Sequence, residues 1–253
     1  TMEPLFFELF TKFGIGKKVN KPPFNKISYK DCMLMYGTDK PDLRIPTKIY
    51  DVTNIFKQDD VKLDMFKKQI EKKAIVRAIP FKNIQSKPRS FFDNLNKWAI
   101  DEGKKGLGYI TFENKEPKGP LAKNFDREII KSMISDCEFN AEDGLLVVCD
   151  QPMESYDFSS KVIQKLGVDL NLLNKDEYKF CWVIDYPMYE LNTLTDKIDF
   201  SHNPFSMPQG GMKSLKEKDP LDGLAYQYDI VCNGIELSSG AIRNHDPEIM
   251  KKA

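Results

Sequence analysis

A regular alternation of apolar and polar positions opens the stretch from Tyr226 to His245. One set of side chains alternates with another: Tyr228, Ile230 and Cys232 against Asp229, Val231 and Asn233. A period of two residues, rich in β-forming side chains, predicts a β-strand. Asn233 and Gly234 come next and tolerate a positive φ, so we expect a tight turn or a bulge there.

Similar patterns predict the other elements of the chain. We expect helices at Pro4–Phe13, Ser28–Met35, Ser90–Glu102 and Arg127–Cys137, and one that begins at Ser155 or Asp157 and ends at Gly167. We expect strands at Ala74–Phe81, Gly106–Phe112, Gly144–Cys149 and Lys179–Glu190. Residues 66–73 are too polar to decide between helix and turn. The order of elements indicates an α+β protein, with a separate α+β unit over about residues 51–151.

Polar side chains suited to a phosphate or carboxylate site follow the Asn-Gly turn. Glu236 comes first, then Ser238-Ser239-Gly240, then Arg243 seven residues after the glutamate. An odd offset puts two strand residues on opposite faces, so a bulge near 238–240 is needed to bring Glu236 and Arg243 together. A carboxylate and a hydroxyl on one face could hold Mg²⁺ beside phosphates, and an arginine could bind a carboxylate through both arms. On spacing alone, an edge hairpin with solvated charges remains the alternative.

Composition narrows the class of protein. The 253 residues carry 38 basic and 38 acidic side chains, so no net charge draws the chain to nucleic acid. The five cysteines are scattered with no CxxC spacing, which favours reduced thiols in the cytoplasm. No apolar run approaches the ~18–20 residues of a membrane span. Neither a GxxxxGK[ST] nor a GxGxxG phosphate motif occurs.

Several stretches resemble one family. The sequence NGIELSSGAIRNH, beginning at Asn233, is similar to the late catalytic strand of bacterial-type aspartyl-tRNA synthetases of class II. YGTDKPDLR (36–44) resembles the segment before their inserted domain, and SHNPFSMP (201–208) resembles their histidine-containing loop. KFCWVIDYPMYE (179–190) resembles a further catalytic strand. The fold implied is part of a class II antiparallel catalytic sheet with an inserted α+β domain.

The resemblance implies a ligand set. Glu236 would contact ATP and, together with Ser239, hold Mg²⁺. Arg243 would bind the side-chain carboxylate of L-aspartate, and His202 would contact the same substrate from a closing loop. A lone histidine in a proline-bounded loop is otherwise a packing or surface residue. The resemblance assigns no catalytic side chain to the chain, gives His245 no role, and treats Asp39, Lys40, Asp42 and Arg44 as family markers.

The resemblance also implies a reaction and its participants. The α-carboxylate of aspartate attacks the α-phosphorus of ATP, giving aspartyl-adenylate and pyrophosphate, and the acyl group then passes to the 3′ end of tRNA. The expected cofactors are ATP and Mg²⁺, and the expected partners are tRNA and L-aspartate. A homodimer is expected for the full-length enzyme.

The resemblance divides the chain into three segments. Residues 1–50 would follow the second class II motif, 51–152 would form a GAD-like insertion domain, and 153–253 would precede the third motif. The F/H-R-x-E motif and the glycine-rich motif ending in arginine both fall outside the chain. We therefore expect a central fragment of an aspartate–tRNA ligase that is inactive alone.

Two alternatives stay open at this point. The first is a non-catalytic docking module for tRNA or protein, related to the amidotransferase B subunit that shares the insertion domain. The second is a structural α+β domain. Lysines cluster in the middle unit and could contact tRNA phosphates, although a solvated lysine-rich surface is the simpler interpretation: Lys104, Lys105, Lys115, Lys118 and Lys123.

Overall fold

The computed structural model describes residues 2–82, 84–113, 116–138, 143–192 and 195–253. Its contacts divide the chain into two compact units. Unit 1 comprises Thr1–Met33, Thr38–Ile45 and Asn171–Ala253, and unit 2 comprises Leu34–Gly37 and Pro46–Leu170. Both combine helices with mainly antiparallel sheets, as expected for an α+β protein.

The helices of the described ranges are mostly short. In chain order they are α1 (Met2–Phe13), α2 (Tyr29–Tyr36), α3 (Thr53–Phe56), α4 (Asp64–Glu71), α5 (Arg89–Asp101), α6 (Arg127–Asp136), α7 (Pro152–Asp169), α8 (Gly211–Glu217) and α9 (Pro247–Lys252). None of them is long and apolar enough to cross a membrane.

The strands, again in chain order, are β1 (Lys18–Val19), β2 (Asn25–Ser28), β3 (Tyr50–Asp51), β4 (Ile75–Lys82), β5 (Gly108–Glu113), β6 (Glu116–Lys118), β7 (Asp143–Asp150), β8 (Glu177–Tyr178), β9 (Phe180–Pro187), β10 (Tyr189–Asn192), β11 (Lys197–Phe200), β12 (Leu224–Cys232) and β13 (Ile235–Ala241). The strand predicted at 179–190 is therefore two strands. The second, β10, pairs with β11 in a separate hairpin.

Unit 1 is built on a four-stranded sheet with the order β13-β12-β9-β2. Its neighbours are antiparallel except β2 and β9. Because successive side chains of a strand point to opposite faces, β9 contributes to two apolar clusters. Cys181 and Val183 pack with Val231 on one face, and Phe180 packs with Ile230 on the other.

The Asn-Gly dipeptide forms the tight turn that the sequence allowed. Asn233 and Gly234 have φ values of 53° and 80°. They join Cys232 and Ile235, which are paired across β12 and β13. Positive φ at both central positions is typical of a two-residue hairpin turn that follows the twist of the strands.

Unit 2 contains a five-stranded antiparallel sheet with the order β3-β4-β7-β5-β6. Phe56, Phe112 and Met133 belong to its main apolar core, to which α3 and α6 contribute. Helix α7 contacts β4 and β7, and Phe158 on this helix stacks on Trp98 of α5 with ring centroids 5.4 Å apart. The sheet is thus covered by helices, which gives the unit its own core.

Two predicted elements of unit 2 are resolved or corrected. Residues 66–73, undecided from sequence, lie largely in the helix α4. The predicted start of α7 at Ser155 or Asp157 is wrong, because the helix begins at Pro152, where a proline in the first turn loses no hydrogen bond. It also continues to Asp169, beyond the predicted end at Gly167.

The lysines of the cluster predicted in unit 2 have different environments. Lys104 donates to Asp150 over 2.7 Å and is mostly buried, so it is a structural ion pair. Lys105 lines a cavity that is described below. Lys115 lies outside the described residues.

Candidate functional site

A cleft of about 550 Å³ opens on one face of the sheet of unit 1. Strands β12 and β13 and the residues just after them provide its floor, and two loops provide its walls. The floor residues are Gln227, Asp229, Glu236, Ser239 and Arg243. The walls are the loop 202–205 and the pair Asp39 and Lys40, which follows α2.

A bulge at Leu237 places the charged floor residues together. Glu236 pairs with Val231 and Ser239 pairs with Asp229, but the register between β12 and β13 shifts between Ile230 and Val231. Leu237 is the extra residue on β13, one position before the predicted 238–240. Because the bulge cancels the odd offset, Glu236, Ser239 and Arg243 share one face, and all three line the cleft.

Asp229 is the most deeply buried acid of this cleft, with 3% of its surface exposed. The hydroxyl of Tyr186 donates to its Oδ2 over 2.6 Å, whereas its Oδ1 has no hydrogen-bond partner. Burial raises the pKa of Asp229 most, the neighbouring charges of Glu236 and Asp39 add to this rise, and the Tyr186 hydrogen bond partly offsets it. A desolvated carboxylate with a free oxygen favours binding of a cation or donor.

Sequence reasoning placed Asp229 in a strand and gave it no role. The available signal was its place in the hairpin: Asp229 lies on β12, four residues before the Asn233-Gly234 turn, and pairs with Ser239 of β13. Its hydroxyl partner Tyr186 comes from β9, a different part of the sequence, which the alternation of β12 does not reveal.

Lys40 provides a positive charge beside the acids. Its Nζ lies 2.8 Å from Asp39 Oδ2 and 3.4 Å from Glu236 Oε2. Partial burial would lower the pKa of Lys40, but the hydrogen bonds and charges of Asp39 and Glu236 outweigh it and raise the pKa. Asp39 and Lys40 were family markers in the sequence; the structure brings both to the cleft.

Asp42 and Arg44 stabilise the loop that carries Lys40. The Arg44 guanidinium binds the Asp42 carboxylate through both arms, with Nη2 to Oδ2 at 2.6 Å and Nε to Oδ1 at 2.9 Å. Neither side chain lines the cleft. The loop also lies against the tight turn, since a Cβ added to Gly234 would come 3.5 Å from Asp42 Cβ.

His202 stands at the rim of the cleft with an exposed side chain. Its ring packs edge-on against Tyr29 and Tyr186, with centroid distances of 5.7 and 4.9 Å. Its Nδ1 lies 2.8 Å from the Ser201 hydroxyl. Aromatic packing and this hydrogen bond orient the ring, which leaves Nε2 as the atom that could meet a ligand.

Arg243 is held by its backbone and leaves its side chain free. It forms a β-bridge with Ser206, and the next amide, of Asn244, donates to the Phe205 carbonyl over 2.8 Å. Its guanidinium lies 5.9 Å from the Phe205 ring centroid. Among the described residues it forms no salt bridge, so the planar fork is available to an anion. His245 does not line this cleft.

The donor set can be compared with what a divalent cation needs. The described residues contain no group of three or more His, Cys, Asp or Glu side chains that could hold a metal alone. Glu236 and Ser239 lie on one face with Asp229, whose Oδ1 is unpartnered. These oxygens fit Mg²⁺ when phosphate oxygens complete its coordination, because Mg²⁺ is usually bound by one or two carboxylates plus phosphates.

Comparison with known proteins identifies the family. The family model for class II tRNA synthetases (D, K and N) matches residues 1–253. The chain belongs to this family. Its membership confirms the resemblance that the sequence motifs suggested.

The curated relatives of this class II chain are longer proteins. It is 50% identical over 252 residues to the aspartate–tRNA(Asp/Asn) ligase of Paramagnetospirillum magneticum, covering 100% of this chain and 28% of that protein. It is 49% identical over 253 residues to the Zymomonas mobilis protein of the same name, covering 100% and 42%. For the Rickettsia felis protein the identity is 51% over 258 residues, covering 100% and 42%. The chain thus spans less than half the length of these relatives.

Proposed function

We propose that the chain is the central part of an aspartate–tRNA ligase. The observation that carries this proposal is the bulge at Leu237, which aligns Glu236, Ser239 and Arg243 with Asp229 on one cleft. The half-identical relatives, each named an aspartate–tRNA(Asp/Asn) ligase, support the same activity. By analogy with those names, the accepting tRNA would be that of aspartate or asparagine.

Arg243 and His202 bind the amino acid in this proposal. The free guanidinium of Arg243 matches the side-chain carboxylate of aspartate with two parallel hydrogen bonds. The amide of asparagine offers a donor where the fork needs an acceptor, so it is rejected. His202, oriented by Tyr29 and Tyr186, contacts the same substrate from the opposite wall.

Glu236 and Ser239 hold Mg²⁺, and Glu236 also contacts ATP. Asp229 adds its unpartnered Oδ1, while the Tyr186 hydroxyl holds the other oxygen of that carboxylate in place. When bound, the ion neutralises charge on the phosphates of ATP. Lys40, next to Glu236, adds a second positive charge on the same side of the cleft.

The reaction follows from this arrangement of substrates. An oxygen of the aspartate α-carboxylate attacks the α-phosphorus of ATP, the bond to pyrophosphate breaks, and aspartyl-adenylate forms. The acyl group then passes to the 3′ end of tRNA. The residues of this chain bind and orient the reactants, and no side chain of the chain is assigned a proton transfer.

The remaining parts of the proposal concern the whole enzyme. Residues 51–152, which lie within unit 2, form the GAD-like insertion domain, and the full-length protein is a cytoplasmic homodimer that binds tRNA. The fragment alone does not form aspartyl-adenylate, since the arginine-containing motifs that contact ATP in the family lie outside it.

Calorimetric titration of the chain with L-aspartate and L-asparagine, in the presence of Mg²⁺ and a non-hydrolysable ATP analogue, tests the proposal. We expect aspartate to bind at least about tenfold more tightly than asparagine, because a carboxylate accepts two charge-assisted hydrogen bonds from the guanidinium whereas an amide places a donor against it. Arg243→Gln should abolish the preference. Arg127→Gln, which removes an arginine whose side chain is 82% exposed in unit 2, is the control and should preserve it. Equal binding of the two amino acids by the unmodified chain would contradict the assignment.

A further inference from the structure

A second cavity, of about 640 Å³, lies within unit 2. It is bounded by α4, α5, β5, β7 and the segment 119–121. Its volume falls in the range of ~300–1,000 Å³ that is typical of small-molecule sites. None of its lining residues belongs to the cleft of unit 1.

The floor of this cavity is apolar and buried. Phe92, Leu107, Leu121 and Val147 line it, and each is buried in the core of the unit. The Phe92 ring stacks on Tyr109 with centroids 4.2 Å apart and planes inclined by 17°. A preformed apolar floor favours a ligand with an apolar body, because the ligand removes that surface from water without reordering the side chains.

Positive charge lies at the mouth of the cavity. Lys105 is exposed and forms no ion pair among the described residues. Arg89 lies 3.8 Å from Asp93, but its side chain is 88% exposed, so the contact is weak. The lining therefore carries two cations against one carboxylate, which favours an anionic ligand.

We propose that the cavity of unit 2 binds a small amphiphilic anion. The apolar body of the ligand lies on Phe92, Leu107 and Leu121, and its single charged head group pairs with Lys105. A single free ammonium beside an apolar floor matches a ligand with one anionic end. The site is independent of the ligase reaction proposed for the cleft of unit 1.

The chain contains its own reporter for this site. Cys149 lines the cavity and is partly exposed, whereas the other four cysteines are buried. Burial raises the pKa of the Cys149 thiol to about 11, the charge of Asp150 adds to the rise, and Lys105 opposes it. Slow alkylation by iodoacetamide should therefore modify Cys149 first, and a ligand in the cavity should protect it.

The test measures the alkylation rate of Cys149 in the intact chain by mass spectrometry, with decanoate and with the neutral twin decanol. We expect decanoate to protect Cys149, with half-protection at a concentration about three- to fivefold lower than for decanol, because an ion pair with an exposed ammonium contributes up to about 1 kcal/mol. Lys105→Gln should remove the advantage of decanoate. Protection is defined for each variant as the ratio of the Cys149 alkylation rates with and without the probe. This normalisation is needed because Lys105 also affects the pKa of the Cys149 thiol.

Lys97→Gln is the matched control, because Lys97 lies on α5, is exposed and does not line the cavity. It should leave the advantage of decanoate unchanged. Absence of protection, equal protection by decanoate and decanol, or an advantage that survives Lys105→Gln would each overturn the proposal. Protection by a short single-stranded RNA and not by decanoate would overturn it too, and would assign the surface to nucleic acid.

Discussion

Each unit of the chain buries a charged side chain in its sheet, and the two side chains differ in their bonding partners. Arg77 of β4, 1% exposed, is bound by the Asp51 carboxylate at 3.3 Å and by the Leu34 carbonyl at 3.2 Å. It also lies over the Tyr156 ring, 5.0 Å from its centroid, although its Nε has no hydrogen-bond partner. Asp229 of β12, 3% exposed, has the Tyr186 hydroxyl as a partner and keeps one oxygen free at a cleft.

This difference separates a structural charge from a candidate ligand group. The partners of Arg77 come from three separate segments of unit 2, so the guanidinium ties the unit together. Asp229 is also desolvated, but it has a single hydrogen-bond partner and lines a cleft, so its burial lowers stability and favours binding of a cation. Substitution should therefore affect the two residues in opposite directions.

Arg77→Met gives the largest expected effect on stability. It removes one ion pair, one hydrogen bond and the packing on Tyr156, and we expect a loss of about 2–3 kcal/mol in the free energy of unfolding. The loss stays below that of a fully buried pair because the Asp51 side chain is 48% exposed and can be solvated. Urea denaturation measures the change. The Arg77→Met variant should still bind ligands in the cleft of unit 1 under native conditions. An unchanged urea midpoint would show that the Arg77 charge does not stabilise unit 2.

Asp229→Asn should act in the opposite direction. Because burial raises the pKa of Asp229, its contribution to stability is fully present below the unfolded-state pKa of ~3.9 and is lost as pH rises through the folded value. The variant should be more stable than the unmodified chain at pH 8, and this advantage should shrink at pH 4, close to the unfolded-state pKa, where Asp229 is largely protonated in both states. Urea denaturation at the two pH values measures this gain. A gain that is the same at both pH values would mean that the Asp229 charge is not the cause.

Lys40→Met sharpens the same comparison at the cleft. The Lys40 ammonium, 3.4 Å from Glu236 Oε2, competes with a cation for this carboxylate. Removing it should strengthen Mn²⁺ binding about three- to tenfold, which corresponds to roughly 1 kcal/mol for a partly exposed pair. Electron paramagnetic resonance titration of free Mn²⁺ measures the affinity. Lys213→Met, on α8 with a side chain 79% exposed, should change nothing, and an equal effect of both substitutions would indicate a general charge effect.

Local patterns predicted the local features of this site. The alternation from Tyr228 to Cys232 predicted β12, and Asn233-Gly234 predicted a tight turn or a bulge, of which the structure has the turn, because both features depend on neighbouring residues. The need for a bulge followed from the odd offset between Glu236 and Arg243. Its position at Leu237 differed by one residue from the prediction, since strand register depends on packing against β12.

Features that depend on distant segments were not predicted. Tyr186 contacts Asp229 from β9, and Lys40 contacts Glu236 from the loop after α2. Contacts between such distant segments do not appear in the periodicity of either segment. The break between β9 and β10 and the start of α7 at Pro152 were also missed. The cavity of unit 2 combines five separate segments of the sequence and has no sequence motif at all.

The most direct test of the shared face is paramagnetic broadening of backbone amide signals by Mn²⁺ in the presence of a non-hydrolysable ATP analogue. If the bulge at Leu237 aligns the side chains as described, the amides of Asp229, Glu236 and Ser239 should broaden together at the lowest Mn²⁺ concentration. Glu236→Gln should weaken all three effects in parallel. Broadening at Glu236 without Ser239 and Asp229, or first at exposed acids elsewhere, would contradict a single cation-binding face.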